Sequence, residues 1–177
     1  LNFSFSRFFI VLLLLSFVMQ FVVTLFETVF SIYGKNQLLF SSNQIGIGFM
    51  VCGIVMAVLQ PVFATYGEKI LTAKQQIGAG LLISGISLIA FPFFGNEIYV
   101  YVLIVTFATG GAIVTPNLLS AVSLLSKEKA GSNISVQTSA NSVGQILGPI
   151  IGTWLIAGGF YYPFIIAGII IITFIGL

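Results

Sequence analysis

Residues 8–33 read FFIVLLLLSFVMQFVVTLFETVFSIY, an apolar run with a single charged side chain, Glu27. Roughly 20 predominantly apolar residues are enough for an α-helix to cross the hydrocarbon core of a bilayer. The run is too long for the core of a signal peptide and contains no small-residue cleavage site. The sequence therefore predicts a membrane-spanning helix here.

The overall composition favours the same class of protein. Hydrophobic residues make up 58% of the chain and charged residues 6%, with a mean hydropathy of +1.16, whereas an ordinary soluble domain carries roughly 25% charged residues. We predict an all-α integral membrane protein, a single bundle of six transmembrane helices over residues 1–177. The predicted helices are residues 8–33, 44–66, 75–94, 98–120, 132–156 and 160–177. The connections are short, so successive helices are expected to be antiparallel neighbours.

Several classes of function are disfavoured by the residues that the chain lacks. It has one cysteine, Cys52, and neither histidine nor aspartate, so no metal site, cofactor site or catalytic group is expected and an enzyme is not predicted. The net charge of +2 is small and confined mainly to loops, and no nucleic-acid partner is implied.

Basic residues near the helix ends predict the orientation in the cell membrane. With the N-terminus of this chain in the cytoplasm, Lys35 alone lies outside, as the positive-inside rule expects. The basic residues on the cytoplasmic side are then Arg7, Lys69, Lys74, Lys127 and Lys129.

Glu27 is the first candidate functional residue, because a charged side chain at this depth is costly unless it faces protein or a wet cavity. Gln20, Thr24 and Glu27 follow each other at helical spacing, with Phe21 beside them, and share one face of the first helix. Such a face suits a proton or a lipophilic cation as substrate. The alternative is that Glu27 lies near the outer headgroups and only bonds a neighbouring helix.

The fifth predicted helix carries two patterns with a period of four. Gly144, Gly148 and Gly152 form a bare stripe for close helix packing, and Pro149 bends the helix beside it. Gln137, Asn141 and Gln145 form a polar strip on an adjacent face, which either lines an aqueous pathway or bonds neighbouring helices.

The fourth predicted helix is interrupted at Thr115-Pro116-Asn117. A proline frees a backbone carbonyl that Asn117 or Thr115 can recapture. Asn117 is therefore a candidate substrate contact, and the alternative is a kink needed only for packing.

The stretch Gly144-x-x-x-Gly148-Pro149-x-x-Gly152 resembles the antiporter signature of the major facilitator superfamily, in particular of its drug/proton antiporters. The loop from Gln60 to Lys69 is similar to a degenerate copy of the family's Gly-x-x-x-Asp-Arg-x-Gly-Arg-Lys loop. Gly67 and Lys69 match its second half, whereas Ala64 and Thr65 replace its Asp and Arg.

The resemblance implies a major-facilitator-type bundle. An intact loop motif marks the N-terminal half of these transporters, so the degenerate loop in this chain implies the C-terminal six-helix half of a twelve-helix transporter. It implies alternating access between two halves, and hence a partner, either an N-terminal six-helix half or a second copy. The signature would form the pliant surface that seals and opens the halves, and Gly67 with Lys69 would belong to the cytoplasmic gate loop.

Three hypotheses for function follow. The first is a secondary active transporter for proton-coupled efflux of lipophilic or cationic drugs, with Glu27 as the coupling or substrate carboxylate. The second is a carrier of the same fold for a specific metabolite or sugar. The third is a membrane assembly module that transports nothing.

Overall fold

The computed structural model describes residues 7–69, 71–125 and 130–176, without the side chain of Glu68. Lys127 and Lys129, which contribute to the predicted orientation, lie outside the described residues. In the described part the chain folds into six α-helices, which confirms the prediction of an all-helical chain with six helices. The helices are α1 Arg7–Asn36, α2 Ser42–Tyr66, α3 Ala73–Ala90, α4 Glu97–Leu124, α5 Ala130–Ile156 and α6 Tyr162–Thr173.

The helix starts follow local capping chemistry. Ser41 and Gln44 form a capping box at the start of α2, and Thr72 and Gln75 form one at the start of α3, so each pair satisfies two backbone N–H groups that the first turn leaves free. Asn96 caps α4 by accepting from Ile98 N at 2.9 Å. These caps place the breaks at the polar segments between the apolar runs.

The first four helices are long and apolar enough to cross a membrane, judged by length and composition. Helix α5 is comparably long but richer in polar residues, and the segment Tyr162–Gly176 is apolar but shorter. Helix α3 is shorter than predicted: it ends at Ala90, and the tighter turn Phe91–Phe93 follows, because Pro92 cannot donate to a continuing helix.

The prediction that successive helices would be packed neighbours is wrong for most pairs. Helix α1 packs most extensively on α5, α2 on α4, and α3 on both α4 and α6, so that α3–α4 is the one consecutive pair with an extensive contact in the described part. Short loops limit how far apart two helix ends lie, but side-chain size along each helix decides which helices touch along their length.

The core between α1, α3, α4 and α6 is an aromatic cluster. The ring centroids of Phe26 and Phe107 are 4.7 Å apart, those of Phe91 and Phe164 are 4.8 Å apart, and Phe26 meets Phe91 edge to face at 5.3 Å. Such aromatic pairs stabilise beyond the area they bury. The cluster buries one side of α1, whereas the opposite side of this helix does not contact the cluster.

Helix α5 meets α1 at backbone distance along the glycine stripe. A Cβ built on Gly144 would lie 2.7 Å from the Phe17 carbonyl oxygen, one on Gly148 would lie 2.6 Å from the Phe21 carbonyl oxygen, and one on Gly152 would lie 3.0 Å from side-chain atoms of Leu25. The three glycines therefore occupy successive turns of one contact, named here the α1–α5 seam. The stripe packs within this bundle, as the bare face predicted, and its partner is α1.

A polar link joins α3 to α4 near the turn Gly67–Lys69. Asn117 Nδ2 donates to Gln76 Oε1 at 3.0 Å and to the Ile113 carbonyl oxygen at 2.7 Å, and Gln76 Nε2 donates to the Leu71 carbonyl oxygen at 3.0 Å. Both side chains are buried, at 7% and 2% exposed. Interhelical bonds of this kind stabilise helix association where apolar burial provides little driving force.

We expect Gly148→Ala to lower the stability of the protein, because the added methyl group forces the backbones of α1 and α5 apart. Overpacking typically costs about 1–3 kcal/mol, so the midpoint of thermal unfolding of the full-length protein in detergent should fall. Gly131→Ala in the same helix is the matched control, since its methyl group meets nothing within 4 Å. Equal midpoints for the two variants would contradict the close contact at the seam.

We expect Asn117→Leu to cost about 1–3 kcal/mol of stability, because Gln76 Oε1 then stays buried without its donor. Thermal unfolding of Asn117→Leu, Gln76→Leu and the double variant forms a cycle that isolates the pair. The double variant should lose less stability than the sum of the single variants. Strictly additive losses would show that the two side chains do not interact.

Candidate functional site

Glu27 lies on the side of α1 that faces away from the aromatic cluster. Phe26 and Phe30 on either side of it are almost fully buried, whereas the Glu27 side chain is exposed. It is within electrostatic range of the Cys52 thiol on α2. Glu27 is thus a carboxylate exposed on the outer surface of the bundle.

Gln20 and Thr24 lie on the same side of α1, next to the seam. Both side chains are half-buried. The Thr24 hydroxyl is 3.0 Å from the Gln20 carbonyl oxygen and 3.4 Å from the carbonyl oxygen of Gly144 on α5. Together with Glu27 they form a polar strip, named here the Glu27 face, which consists of Gln20, Thr24 and Glu27.

Two polar residues of α5, Gln137 and Asn141, lie one to two turns before Gly144 and extend the seam. Gln137 Nε2 donates to the Ser16 hydroxyl of α1 at 2.8 Å, and Gln137 is 5% exposed. Gln137 Oε1 and Asn141 Oδ1 are buried acceptors without a hydrogen-bond partner among the described residues. A buried unpaired acceptor is costly, so each of these amide oxygens has an unused capacity to accept a hydrogen bond.

The predicted strip of Gln137, Asn141 and Gln145 is only partly kept. Gln137 is buried, Asn141 is half-buried and Gln145 is exposed. The structure brings Gln137 and Asn141 to the seam and leaves Gln145 outside it.

Two other predicted site residues are packing elements in this structure. Phe21 is 7% exposed, stacks on Phe17 with centroids 6.0 Å apart, and presents its backbone to Gly148. Asn117 lies in the α3–α4 link with Gln76, away from Glu27. The structure thus gives Asn117 a packing contact, and its predicted contact with a substrate stays a prediction.

The loop residues Gly67 and Lys69 lie together in the turn after α2. A Cβ on Gly67 would overlap the Gln76 side chain, which is itself held by Leu71 and Asn117. The Lys69 ammonium lies 5.0 Å from the centroid of the Tyr66 ring, within range of a cation–π interaction. The turn is thereby fixed against the start of α3.

The antiporter-like signature lies beside the polar strip and not apart from it. Its glycines contact Phe17, Phe21 and Leu25 of α1, and Pro149 is half-buried next to Gly148. Because proline has no N–H, the carbonyl of Gln145 loses its helical donor at this turn. The seam therefore combines a close backbone contact with a local interruption of α5.

Two residues that hold these contacts, Ser16 and Gln76, were not among the predicted site residues. Ser16 precedes Gln20 and Thr24 at intervals of four, a period that marks it as part of the same strip. Gln76 is at the beginning of an apolar run, directly after the capping residue Gln75. Polar residues within apolar helices were thus the available signal for both.

The chain is similar to a bacterial protein over most of its own length. It is 28% identical over 165 residues to Multidrug resistance protein 2 of Bacillus subtilis (strain 168), a match that covers 91% of this chain and 40% of that relative. The chain thus spans two fifths of the length of the curated relative it matches.

The family assignment rests on a match to a family model and not on this relative. The model of the Major Facilitator Superfamily matches residues 10–177. The family is one of transporters, which confirms that the chain is not an enzyme, and it agrees with the apolar helices in indicating a multi-pass membrane protein. By its match over nearly the whole chain, this protein belongs to the Major Facilitator Superfamily.

Proposed function

We propose that this chain is one six-helix half of a secondary active transporter that exports lipophilic or cationic drugs in exchange for protons. The observation that carries the proposal is the position of Glu27, a carboxylate exposed on the outer surface of the half bundle in the middle of an apolar helix. A charged group at that depth does not face lipid. The surface around it is therefore covered by protein, by water or by both.

The packing of α2 supports a partner on this side. Within an apolar 18-residue stretch of α2, only 6% of the residues are buried, compared with 50% in the corresponding stretches of α1, α3 and α4. We infer that all six helices cross the membrane and that an N-terminal six-helix half, or a second copy, covers Glu27 and the free side of α2. The enclosed space between the halves would be the central site of an alternating-access carrier.

The Glu27 face and the two buried acceptors of α5 would form this chain's wall of that site. Glu27 would bind a proton or a cationic substrate, and Gln20, Thr24, Gln137 and Asn141 would supply hydrogen-bonding groups. Phe21 and Asn117 would support the wall through packing. The name of the Bacillus relative, a multidrug resistance protein, agrees with a lipophilic substrate class.

The signature would couple the wall to movement of α5. Gly148 and the Thr24 hydroxyl lie on the same turn of the seam, so a small shift of α5 along α1 would also move Asn141 and Gln137. The seam within the half, and not a contact between halves, is then the pliant element. Gly67 and Lys69 would belong to the cytoplasmic gate loop, with the N-terminus of this chain on the same side.

We expect Glu27→Gln to abolish uptake of a lipophilic cationic dye driven by a pH gradient into inverted membrane vesicles that contain the full-length transporter. The amide keeps the size of the side chain but can neither carry a proton nor pair with a cation. Dye fluorescence over time is the measurement, with membrane expression measured in parallel.

Glu97→Gln is the matched control, because Glu97 is a carboxylate at the start of α4 that bonds Tyr101. It should retain uptake. Undiminished uptake in Glu27→Gln would remove the coupling role. No uptake by the wild type would favour a carrier for a specific metabolite, or, if a stable protein partner co-purifies and no solute is moved, an assembly module.

We expect cysteine labelling to place Lys35 and Lys74 on opposite sides of the membrane. In a Cys52→Ser background, Lys35→Cys should react with a membrane-impermeant maleimide in intact cells, and Lys74→Cys should react only after permeabilisation. Both lysines are exposed, so access depends on the membrane side and not on burial. The reverse pattern would invert the proposed orientation.

A further inference from the structure

A partly enclosed apolar groove lies at one end of the bundle. Its volume is about 250 Å³, and it is bordered by the starts of α1 and α3, the last turns of α4 and the turn Phe174–Gly176. Buried leucines form its floor, namely Leu12, Leu15 and Leu81. The groove is separate from Glu27, the seam and the α3–α4 link.

One charged side chain borders this groove. Lys74, exposed in the first turn of α3, is among the lining residues, and no acidic side chain is found among the described residues that line it. Arg7, also exposed, directly precedes the lining residue Phe8. The groove is thus apolar along its length and positively charged at its mouth.

The groove also lies at the basic end of the bundle, where α1 and α3 begin. In the proposed orientation this end meets the cytoplasmic leaflet, whose anionic lipids attract basic residues near the surface. Basic pockets between transmembrane helices on that side are sites for anionic headgroups. An acyl chain matches the apolar length of the groove, and a phosphate matches the positive charge at its mouth.

We propose that this groove binds an anionic phospholipid, with one acyl chain against Leu12, Leu15 and Leu81 and the headgroup phosphate at Lys74. The inference is independent of the substrate and of proton coupling at Glu27. It depends only on insertion in the membrane with this end at an anionic leaflet.

Gly78 provides a way to close the groove without disturbing the helices around it. It lines the groove, and a Cβ built on it meets only Ile175 Cγ2, at 3.9 Å. A leucine at this position would therefore project into the space that the acyl chain occupies. Lys74→Gln removes the charge at the mouth and leaves the apolar space unchanged.

The test is native mass spectrometry of the full-length protein in mild detergent, titrated with dioleoylphosphatidylglycerol or with dioleoylphosphatidylcholine. The wild type should retain the anionic lipid in preference to the zwitterionic one. Lys74→Gln should weaken binding of phosphatidylglycerol roughly fivefold, the change expected for one basic residue near an anionic surface. Gly78→Leu should lose the bound molecule of either lipid.

Lys35→Gln is the matched control, an exposed lysine at the opposite end of α1, and should bind lipid as the wild type does. Equal retention of phosphatidylglycerol by Lys74→Gln and Lys35→Gln would overturn the proposal, as would undiminished binding in Gly78→Leu. Lys74→Gln changes only an exposed side chain, so it decides the question even if Gly78→Leu does not fold. Dye transport is not needed for this measurement, so the result does not depend on the proposed export function.

Discussion

The close approach of α5 to α1 sets the geometry of everything around the candidate site. Lipid tails are as apolar as leucine side chains, so two helices in a membrane gain little from hiding apolar surface and more from tight contact. Glycines at every fourth position of α5 permit that contact over three turns, at Phe17, Phe21 and Leu25 of α1. With larger residues there, Gln137 could not reach Ser16 and Thr24 could not approach the Gly144 carbonyl.

Polar side chains then specify which helix faces meet. Ser16 with Gln137 marks the seam, and Gln76 with Asn117 marks the α3–α4 contact. Each pair satisfies groups that would be costly in hydrocarbon. Apolar surface alone would allow many registers, whereas a donor and an acceptor at one height along two helices select one of them.

Glu27 is the exception to this pattern. The Ser16, Thr24 and Thr28 side chains of α1 form hydrogen bonds within the bundle, but the Glu27 side chain is exposed on its outer surface. The neighbouring helix α2 is also sparsely covered. A charged side chain within an apolar helix is rare in membrane proteins, and this exposed carboxylate is the feature on which the proposed function rests.

The sequence by itself determined the helical class, the six helices and their approximate ends, because long apolar runs and short capping segments are local properties of the chain. It also identified the glycine stripe as a contact surface and supplied the resemblance that the family match confirms. Only the tertiary structure decided which helices touch, why Asn117 belongs with Gln76 and not with Glu27, and which members of the polar strip of α5 reach α1. These depend on how side chains of different size pack between helices, and this packing brings together residues more than a hundred positions apart, such as Ser16 and Gln137.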